Sequence, residues 1–147
     1  MKLSKETEYG IRGLIFLANY QNEGLVQVKK IAQEEGLPQP LLARTFHQLA
    51  RAEIVTSFKG RKKGFSLSKP PEEIFLTDII TAIEGPDIFN RCIFWSENCY
   101  GPENPCPLHF TWSRIKESFV TFFQRITLAD LVKINLEKQS FSKKKGL

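Results

Sequence analysis

The stretch that decides the fold runs from Pro40 to Leu67 and reads PLLARTFHQLARAEIVTSFKGRKKGFSL. Its first half repeats apolar side chains at helical spacing, which predicts a helix from about Pro40 to Ala52. Its second half holds two β-prone segments, Ile54–Phe58 and Phe65–Leu67, on either side of a basic turn bracketed by glycines. Such a turn between two strands predicts a β-hairpin.

A shorter helix precedes this stretch and completes a known motif. Val28 and Ile31 share one helical face, and Gly36 is a typical helix end. Two short helices joined by a few residues, the second with a basic outer face, are the pattern of a helix-turn-helix, and the hairpin adds a wing. An apolar first helix is expected to begin after the N-cap Ser4. The sequence therefore predicts an N-terminal winged helix-turn-helix over residues 1–85.

The outer face of the third helix and the hairpin turn predict contacts with duplex DNA. A basic run is often only a solvated turn, and an exposed histidine is often incidental. Their place in a winged helix, together with a formal net charge of +5, favours a polyanionic partner. The basic residues of the wing would contact phosphates, whereas Arg44, near the start of the third helix, would reach base edges. The predicted contact residues are Gln39, Arg44, His47, Gln48, Arg51, Lys59, Arg61, Lys62 and Lys63.

The second half of the chain predicts a helical dimerisation region. After a short helix from Leu76 to Glu84, apolar side chains recur at spacings of 4, 3, 4, 3 and 4 residues from Leu108 to Ile126. This a/d seam is expected to pair with a second copy of the chain, and Thr127 is a typical start for one more helix. The expected fold is mainly α, an N-terminal winged helix-turn-helix with a small β-hairpin wing and a long C-terminal dimerisation helix. Its expected parts are the winged helix at 1–85, a cysteine loop at 86–107, a dimerisation helix region at 108–135 and a basic flexible tail at 136–147.

The three cysteines, Cys92, Cys99 and Cys106, all fall in that loop. Six residues separate each successive pair, and His109 follows the last cysteine after two. If Pro107 opens the seam helix, Cys106 caps it and His109 lies in its first turn. An iron–sulfur cluster, redox chemistry of the thiols, a zinc site and cysteines without a function are the open interpretations. The wide spacing favours a cluster over zinc, whose paired ligands are usually about two to four residues apart.

The composition limits the class of protein. The chain has 147 residues, of which 41% are hydrophobic, enough for one domain with a core. We recognise no signal peptide and no apolar run of the roughly 18 residues that a membrane span needs. Three cysteines cannot all pair within one chain, which argues against a secreted disulfide scaffold. Together these features predict a cytoplasmic protein without a membrane association. The sequence shows no Ser-His-Asp, paired-carboxylate or phosphate-loop constellation, so an enzyme is not expected.

Five short motifs resemble, in order, those of one known family. They are Met1-Lys2-Leu3-Ser4 with Tyr9, Ala50-Arg51-Ala52-Glu53-Ile54-Val55, Ser68-Lys69-Pro70-Pro71-Glu72-Glu73-Ile74, Ala82-Ile83-Glu84-Gly85 and Ile126-Thr127-Leu128-Ala129-Asp130-Leu131. Almost the entire chain resembles the Rrf-type winged-helix transcription regulators. That family includes the IscR-like iron–sulfur regulators and the NsrR-like nitric-oxide-sensitive repressors, and the three-cysteine loop is similar to that of its cluster-binding members.

The resemblance implies a homodimeric, sequence-specific transcription regulator, expected to be a repressor, whose affinity for a palindromic operator depends on a [2Fe-2S] or [4Fe-4S] cluster. It implies Cys92, Cys99 and Cys106 as thiolate ligands. His109 matches the fourth ligand of the IscR-like members, and Glu8 matches the carboxylate that NsrR-like members bring across the dimer. Solvent or a small molecule is the third candidate. Iron supply, redox state and nitric oxide are the candidate signals. The rivals are a regulator switched by thiol chemistry or without a cofactor, and a winged-helix protein–protein adaptor.

Overall fold

The computed structural model describes residues 2–94 and 102–146 and confirms the predicted mainly α winged-helix fold. Two short 3-10 turns, Pro71–Glu73 and Ile88–Asn90, lie before and after the fourth helix. One apolar core joins the first three helices, the hairpin and the start of the last helix. The helices and strands are α1 Lys5–Asn19, α2 Val28–Glu35, α3 Gln39–Arg51, β1 Val55–Phe58, β2 Gly64–Leu67, α4 Leu76–Glu84, α5 His109–Phe123 and α6 Leu128–Lys145.

Two glycines of α1 permit its close packing on the neighbouring helices. Gly13 faces Phe46 of α3, and a Cβ added at Gly13 would lie 2.6 Å from the ring carbon Cε2. Gly10 faces Ile83 of α4, whose Cδ1 would lie 2.6 Å from an added Cβ. The Phe46 ring is fully buried. Helices α1 and α3 therefore approach more closely than a side chain at Gly13 would allow.

The start of α1 is fixed to the end of α4 by the carboxylate of Glu84. Ser4 precedes α1 as predicted, but its hydroxyl donates to Glu84 Oε1 at 2.6 Å instead of capping the helix. The Ser4 N–H donates to the same oxygen at 2.7 Å, and so does the Thr7 hydroxyl. Burial alone would raise the pKa of Glu84, but these hydrogen bonds outweigh it and hold the pKa below its ordinary value. These hydrogen bonds therefore stabilise the fold at pH values above the ordinary pKa of a glutamate. The stabilisation is lost as the pH falls through the lowered pKa of Glu84.

The wing is an antiparallel hairpin in which Phe58 pairs with Gly64 beside the turn. It is anchored to the segment before α2, because Val26 N–H donates to Phe65 O at 3.1 Å and Phe65 N–H donates to Val26 O at 2.8 Å. Gly64 has a φ of 149°, and a Cβ there would lie 2.9 Å from the Val26 carbonyl oxygen. This glycine therefore permits the approach that holds the wing beside α2.

The start of α5 differs from the prediction. The helix begins at His109 rather than at Pro107, so the prediction that Cys106 caps it is wrong. Leu108 is the N-cap, and His109 N–H donates to Cys106 O at 3.0 Å. This three-residue spacing is the tight turn that often precedes an α-helix, and it places Cys106 before the helix.

Helix α5 is also shorter than the predicted seam. It ends at Phe123, after which Arg125 N–H donates to Phe122 O at 3.1 Å in a tight turn. Thr127 then caps α6 as predicted, because its hydroxyl oxygen accepts from the N–H of the third helical residue at 3.2 Å. Ile126 therefore belongs to the connection between two helices and not to the seam.

Helix α6 continues to Lys145, through the segment 136–147 that the sequence predicts as a flexible tail. This segment is therefore helical up to that residue. Three lysines occupy the last turn, where the helix dipole favours positive charge. Within the described residues, neither α6 nor any other helix has the length and hydropathy needed to cross a membrane.

Candidate nucleic-acid interface and cysteine segment

A basic groove lies between α3 and the wing. Gln39 and His47 of α3 line it, together with Lys59 and Lys63 of the hairpin. The described residues that line the groove include three lysines and no carboxylate. The His47 ring lies edge-on to Phe65, with the ring centroids 6.1 Å apart. The groove therefore combines lysines suited to phosphates with polar side chains suited to base edges.

Two residues that line the groove, Gln27 and Lys29, are absent from the sequence prediction. Gln27 is the N-cap of α2, and Lys29 lies in the first turn of that helix. The N-terminus of a helix attracts phosphate through its unpaired N–H groups and its dipole, and a lysine there adds positive charge. The sequence signal is the predicted start of α2, but its place beside the wing depends on the pairing of Val26 with Phe65.

The remaining predicted contact residues lie outside this groove. Arg44 is exposed, and its guanidinium pairs with the carboxylate of Glu6 on α1. Gln48 is half-buried, and its side-chain amide donates to the carbonyl of Ile83 at 3.4 Å. Arg44 would therefore have to leave Glu6, and Gln48 to leave Ile83, before either could read a base. Three further predicted contact residues are exposed on α3 or the wing, namely Arg51, Arg61 and Lys62.

The cysteine loop at 86–107, called the cysteine segment from here on, contacts α5 just after Cys92, which is buried. Phe94 N–H donates to Cys92 Sγ at 3.4 Å, and the Phe94 ring lies edge-on to Trp112, with 6.2 Å between ring centroids. Among the residues of α5, all of them described, Trp112 alone is buried in the single chain. The polypeptide just after Cys92, the first predicted ligand, is therefore packed on α5, the helix that follows Cys106.

The predicted cluster ligands are not gathered in the part of the chain that the structure describes. Cys106 is half-buried and joined to His109 by the backbone hydrogen bond before α5. Cys99 lies outside the described residues. Glu8 is exposed on α1 and pairs with Arg12, whose Nη1 is 3.3 Å from Glu8 Oε1. Within the described residues, no group of three or more His, Cys, Asp or Glu side chains is close enough to hold a metal ion.

The chemistry of the side chains at this segment nevertheless fits an iron–sulfur cluster. Cys92 and Cys106 supply thiols, and His109 supplies an imidazole, which are ligands that iron accepts. Trp112 is 7% exposed, and its Nε1–H has no acceptor among the described residues. Thiolate and sulfide sulfurs accept hydrogen bonds of this kind. Both the donor set and an N–H without an acceptor in the described part of the chain therefore suit a group rich in sulfur.

Helix α5 exposes a broad apolar face in the single chain. The exposed fraction is 46% for Ile115, 44% for Phe119 and 60% for Phe122, which share one side of the helix. Large apolar side chains concentrated on one helix mark a surface that contacts another protein surface. The face contains Ile115, Phe119 and Phe122 of the predicted seam, whereas Trp112 is covered within the chain.

The fold defines the class of protein, a winged helix-turn-helix protein, and proteins of this class commonly bind duplex DNA. The chain belongs to the Rrf2 family, because the family model described as "Iron-dependent Transcriptional regulator" matches residues 3–134. The resemblance to Rrf-type regulators in the five sequence motifs is therefore confirmed.

Individual relatives match the chain over nearly its whole length. A protein of Aquifex aeolicus strain VF5, named as a candidate HTH-type transcriptional regulator, is 34% identical over 142 residues, covering 96% of this chain and 97% of the relative. The structure of CymR, described as the global cysteine regulator of B. subtilis, aligns at 29% identity with a TM-score of 0.75, covering 91% of this chain and 98% of CymR. The structure of T. potens IscR aligns at 29% identity with a TM-score of 0.74, covering 95% and 91%. The family and the first two relatives are described as regulators rather than enzymes.

Proposed function

We propose that the chain is a sequence-specific regulator that binds duplex DNA in the groove between α3 and the wing. The observation that carries the proposal is the set of lysines and polar side chains around that groove, with no carboxylate among its described lining residues. In helix-turn-helix proteins the second helix enters the major groove, so Gln39 and His47 would face base edges. Lys59 and Lys63 would contact the phosphates, and a regulator of the chromosome would act in the cytoplasm. Repression is the expected outcome of occupying an operator.

The functional unit we propose is a homodimer formed through the apolar face of α5. The exposed side chains Ile115, Phe119 and Phe122 would be removed from water by the same face of a second copy. Two identical winged helices then read a palindrome, with half-sites about 34–36 Å apart along the DNA. We favour a second copy over a different protein partner for two reasons. DNA accounts for the basic groove, which an adaptor protein would not need, and a two-fold dimer would cover the apolar face of both copies at once.

The cysteine segment would make the regulator a sensor. Cys92, Cys99 and Cys106 would hold a [2Fe-2S] or [4Fe-4S] cluster. His109 is the favoured fourth ligand, because its backbone is already bonded to that of Cys106. Glu8 of a second copy is the rival and would have to give up Arg12. Such a cluster would join Cys92, after α4, to Cys106 and His109 at the start of α5, and iron supply, redox state or nitric oxide would be the signal that changes this ligation.

The described contacts connect this segment to the DNA-binding surface. Helix α4 contacts α1, α3 and α5, and the Cys92 segment follows it after one short turn. The Gln48 amide of α3 donates to the Ile83 carbonyl near the end of α4, and Glu84 fixes the same end to α1. A displacement of α5 relative to α4 would therefore change the orientation of α3 in one protomer relative to its partner.

Thiol chemistry without a cluster is the second candidate. It is favoured by the fact that the described ligands are not gathered and that the B. subtilis relative is described as a cysteine regulator. In that case oxidation of Cys92 or Cys106 would change the same contacts on α5. A brown protein containing iron and sulfide after anaerobic purification separates the cluster from this alternative.

DNA binding is tested with duplexes selected from a random-sequence pool by the wild-type protein. We expect His47→Ala to relax the sequence preference, because His47 faces the groove from α3. We expect Lys63→Ala to weaken binding to all duplexes alike and to reduce the slope of log affinity against log salt by about one. Fluorescence anisotropy at several salt concentrations measures both effects.

Lys138→Ala is the matched control for the charge change, because Lys138 is exposed on α6 and does not line the groove. It should leave the affinity and the salt slope at the wild-type values. Equal effects of Lys138→Ala and Lys63→Ala, or binding by the wild type that does not depend on salt, would contradict the assignment of the groove to DNA.

A further inference from the structure

Trp112 lies where the cysteine segment meets α5. It is 7% exposed, follows His109 by three residues on the same side of the helix, and its ring is nearly perpendicular to that of Phe94. Phe94 in turn donates its N–H to Cys92 Sγ at 3.4 Å. The indole therefore extends from α5, which begins at the predicted ligand His109, and contacts the polypeptide that follows the predicted ligand Cys92.

The indole N–H of Trp112 has no acceptor among the described residues, although backbone groups next to it on α5 have hydrogen-bond partners. The backbone N–H of Trp112 donates to Leu108 O at 2.9 Å, and the carbonyl of His109 accepts from the Ser113 hydroxyl at 2.7 Å. A tryptophan N–H is a donor and never an acceptor, so a buried one needs a single hydrogen-bond acceptor. A phenylalanine would fill this position without that requirement. The position therefore calls for an acceptor that the described residues do not supply.

We propose that Trp112 Nε1–H donates a hydrogen bond to a sulfur of the cluster ligated by Cys92, and that this bond raises the reduction potential of the cluster. The inference rests on the proposed function, since it requires the cluster. Sulfur is the acceptor expected here, because Cys92 Sγ already accepts an N–H from Phe94, the residue whose ring touches the indole.

The sign of the effect follows from charge. One added electron makes the sulfurs more negative, so a hydrogen bond to them stabilises the reduced state more than the oxidised state. Removal of the N–H therefore lowers the potential. We expect the ratio of reduced to oxidised cluster at a fixed potential to fall about tenfold, which corresponds to about 59 mV for a one-electron couple.

The test uses the full chain reconstituted anaerobically with iron and sulfide. The chain has two tryptophans, so a Trp95→Phe parent leaves Trp112 as the single indole. In this parent, Trp112→Phe removes the N–H together with part of the ring system. Replacing the indole of Trp112 by benzothiophene, through incorporation of the corresponding amino acid, removes the N–H and keeps the two-ring shape. An electrode with mediators supplies the electron, the visible spectrum gives the midpoint potential, and the melting temperature of the cluster-free protein reports the packing.

A lowered potential in both variants, with the melting temperature of the benzothiophene protein unchanged, supports the proposal. Equal potentials in the parent and both variants overturn it. A shift in Trp112→Phe alone also overturns it, because shape and not the N–H would then matter. A parent protein that takes up no cluster contradicts the proposed function instead, and its spectrum shows this before any variant is compared.

Discussion

Phe119→Glu is expected to convert the protein into monomers and to lower its affinity for a palindromic operator on the order of 100-fold or more. Phe119 lies in the middle of the apolar face of α5 and is 44% exposed in the single chain. Two facing copies of the glutamate would place two negative charges in an apolar contact without partners. A monomer loses the gain that comes from binding two half-sites together. Light scattering measures the mass, and anisotropy with a two-half-site duplex measures the affinity.

Thr121→Glu is the matched control for this charge. Thr121 is exposed on the same helix, on the side away from Ile115, Phe119 and Phe122. The control should remain a dimer with wild-type affinity for DNA. If Phe119→Glu also remains a dimer of normal mass, α5 is not the dimer contact, and the exposed phenylalanines require another partner.

Gly13→Ala is expected to destabilise the winged helix by about 1–3 kcal/mol through overpacking, less about 1 kcal/mol gained in helix propensity. The added methyl would lie 2.6 Å from the Phe46 ring, which is fully buried and packs edge-on against Phe65 at 5.2 Å between centroids. The ring can move away only by disturbing the base of the wing. Thermal unfolding of the two proteins measures the difference.

Gly10→Ala offers a direct comparison on the same helix. Its methyl would also approach an atom to 2.6 Å, but that atom is Cδ1, at the far end of the flexible Ile83 side chain. A rotation of Ile83 relieves most of the clash, so the loss of stability should be clearly smaller than for Gly13→Ala. Equal melting temperatures for the two variants would show that the ring of Phe46 does not limit the distance between α1 and α3.

The parts of the fold that depend on local pattern are predictable from the sequence. The apolar spacing of α2 and α3, the glycine-bracketed turn of the wing and the cap at Thr127 each act over a few residues, and the structure places each of them as expected. The bounds of α4 also agree, because its apolar stripe ends at Gly85.

The parts that depend on tertiary contacts are not predictable in this way. The indole N–H of Trp112 has no acceptor among the described residues, which depends on its surroundings, whereas the sequence shows only an apolar seam residue. Gln48 has the spacing of a DNA-reading residue, but the arrival of α4 gives it the Ile83 carbonyl as a partner. Lys29 joins the groove because Val26 pairs with the wing. Four of the predicted contact residues do line the groove between α3 and the wing. That this groove binds DNA, and that the cysteines ligate a cluster, stay predictions.

The most direct test of the account compares one protein sample with and without its cluster. The full chain is purified anaerobically, its iron and sulfide are measured, and its affinity for a duplex selected from a random-sequence pool is determined. The cluster is then removed with an iron chelator and rebuilt with iron and sulfide, and the affinity is measured at each stage. We expect a brown protein whose affinity changes at least about tenfold, or about 1.4 kcal/mol, when the cluster is removed and returns when it is rebuilt. A colourless protein, or an affinity that is the same at all three stages, would contradict the account.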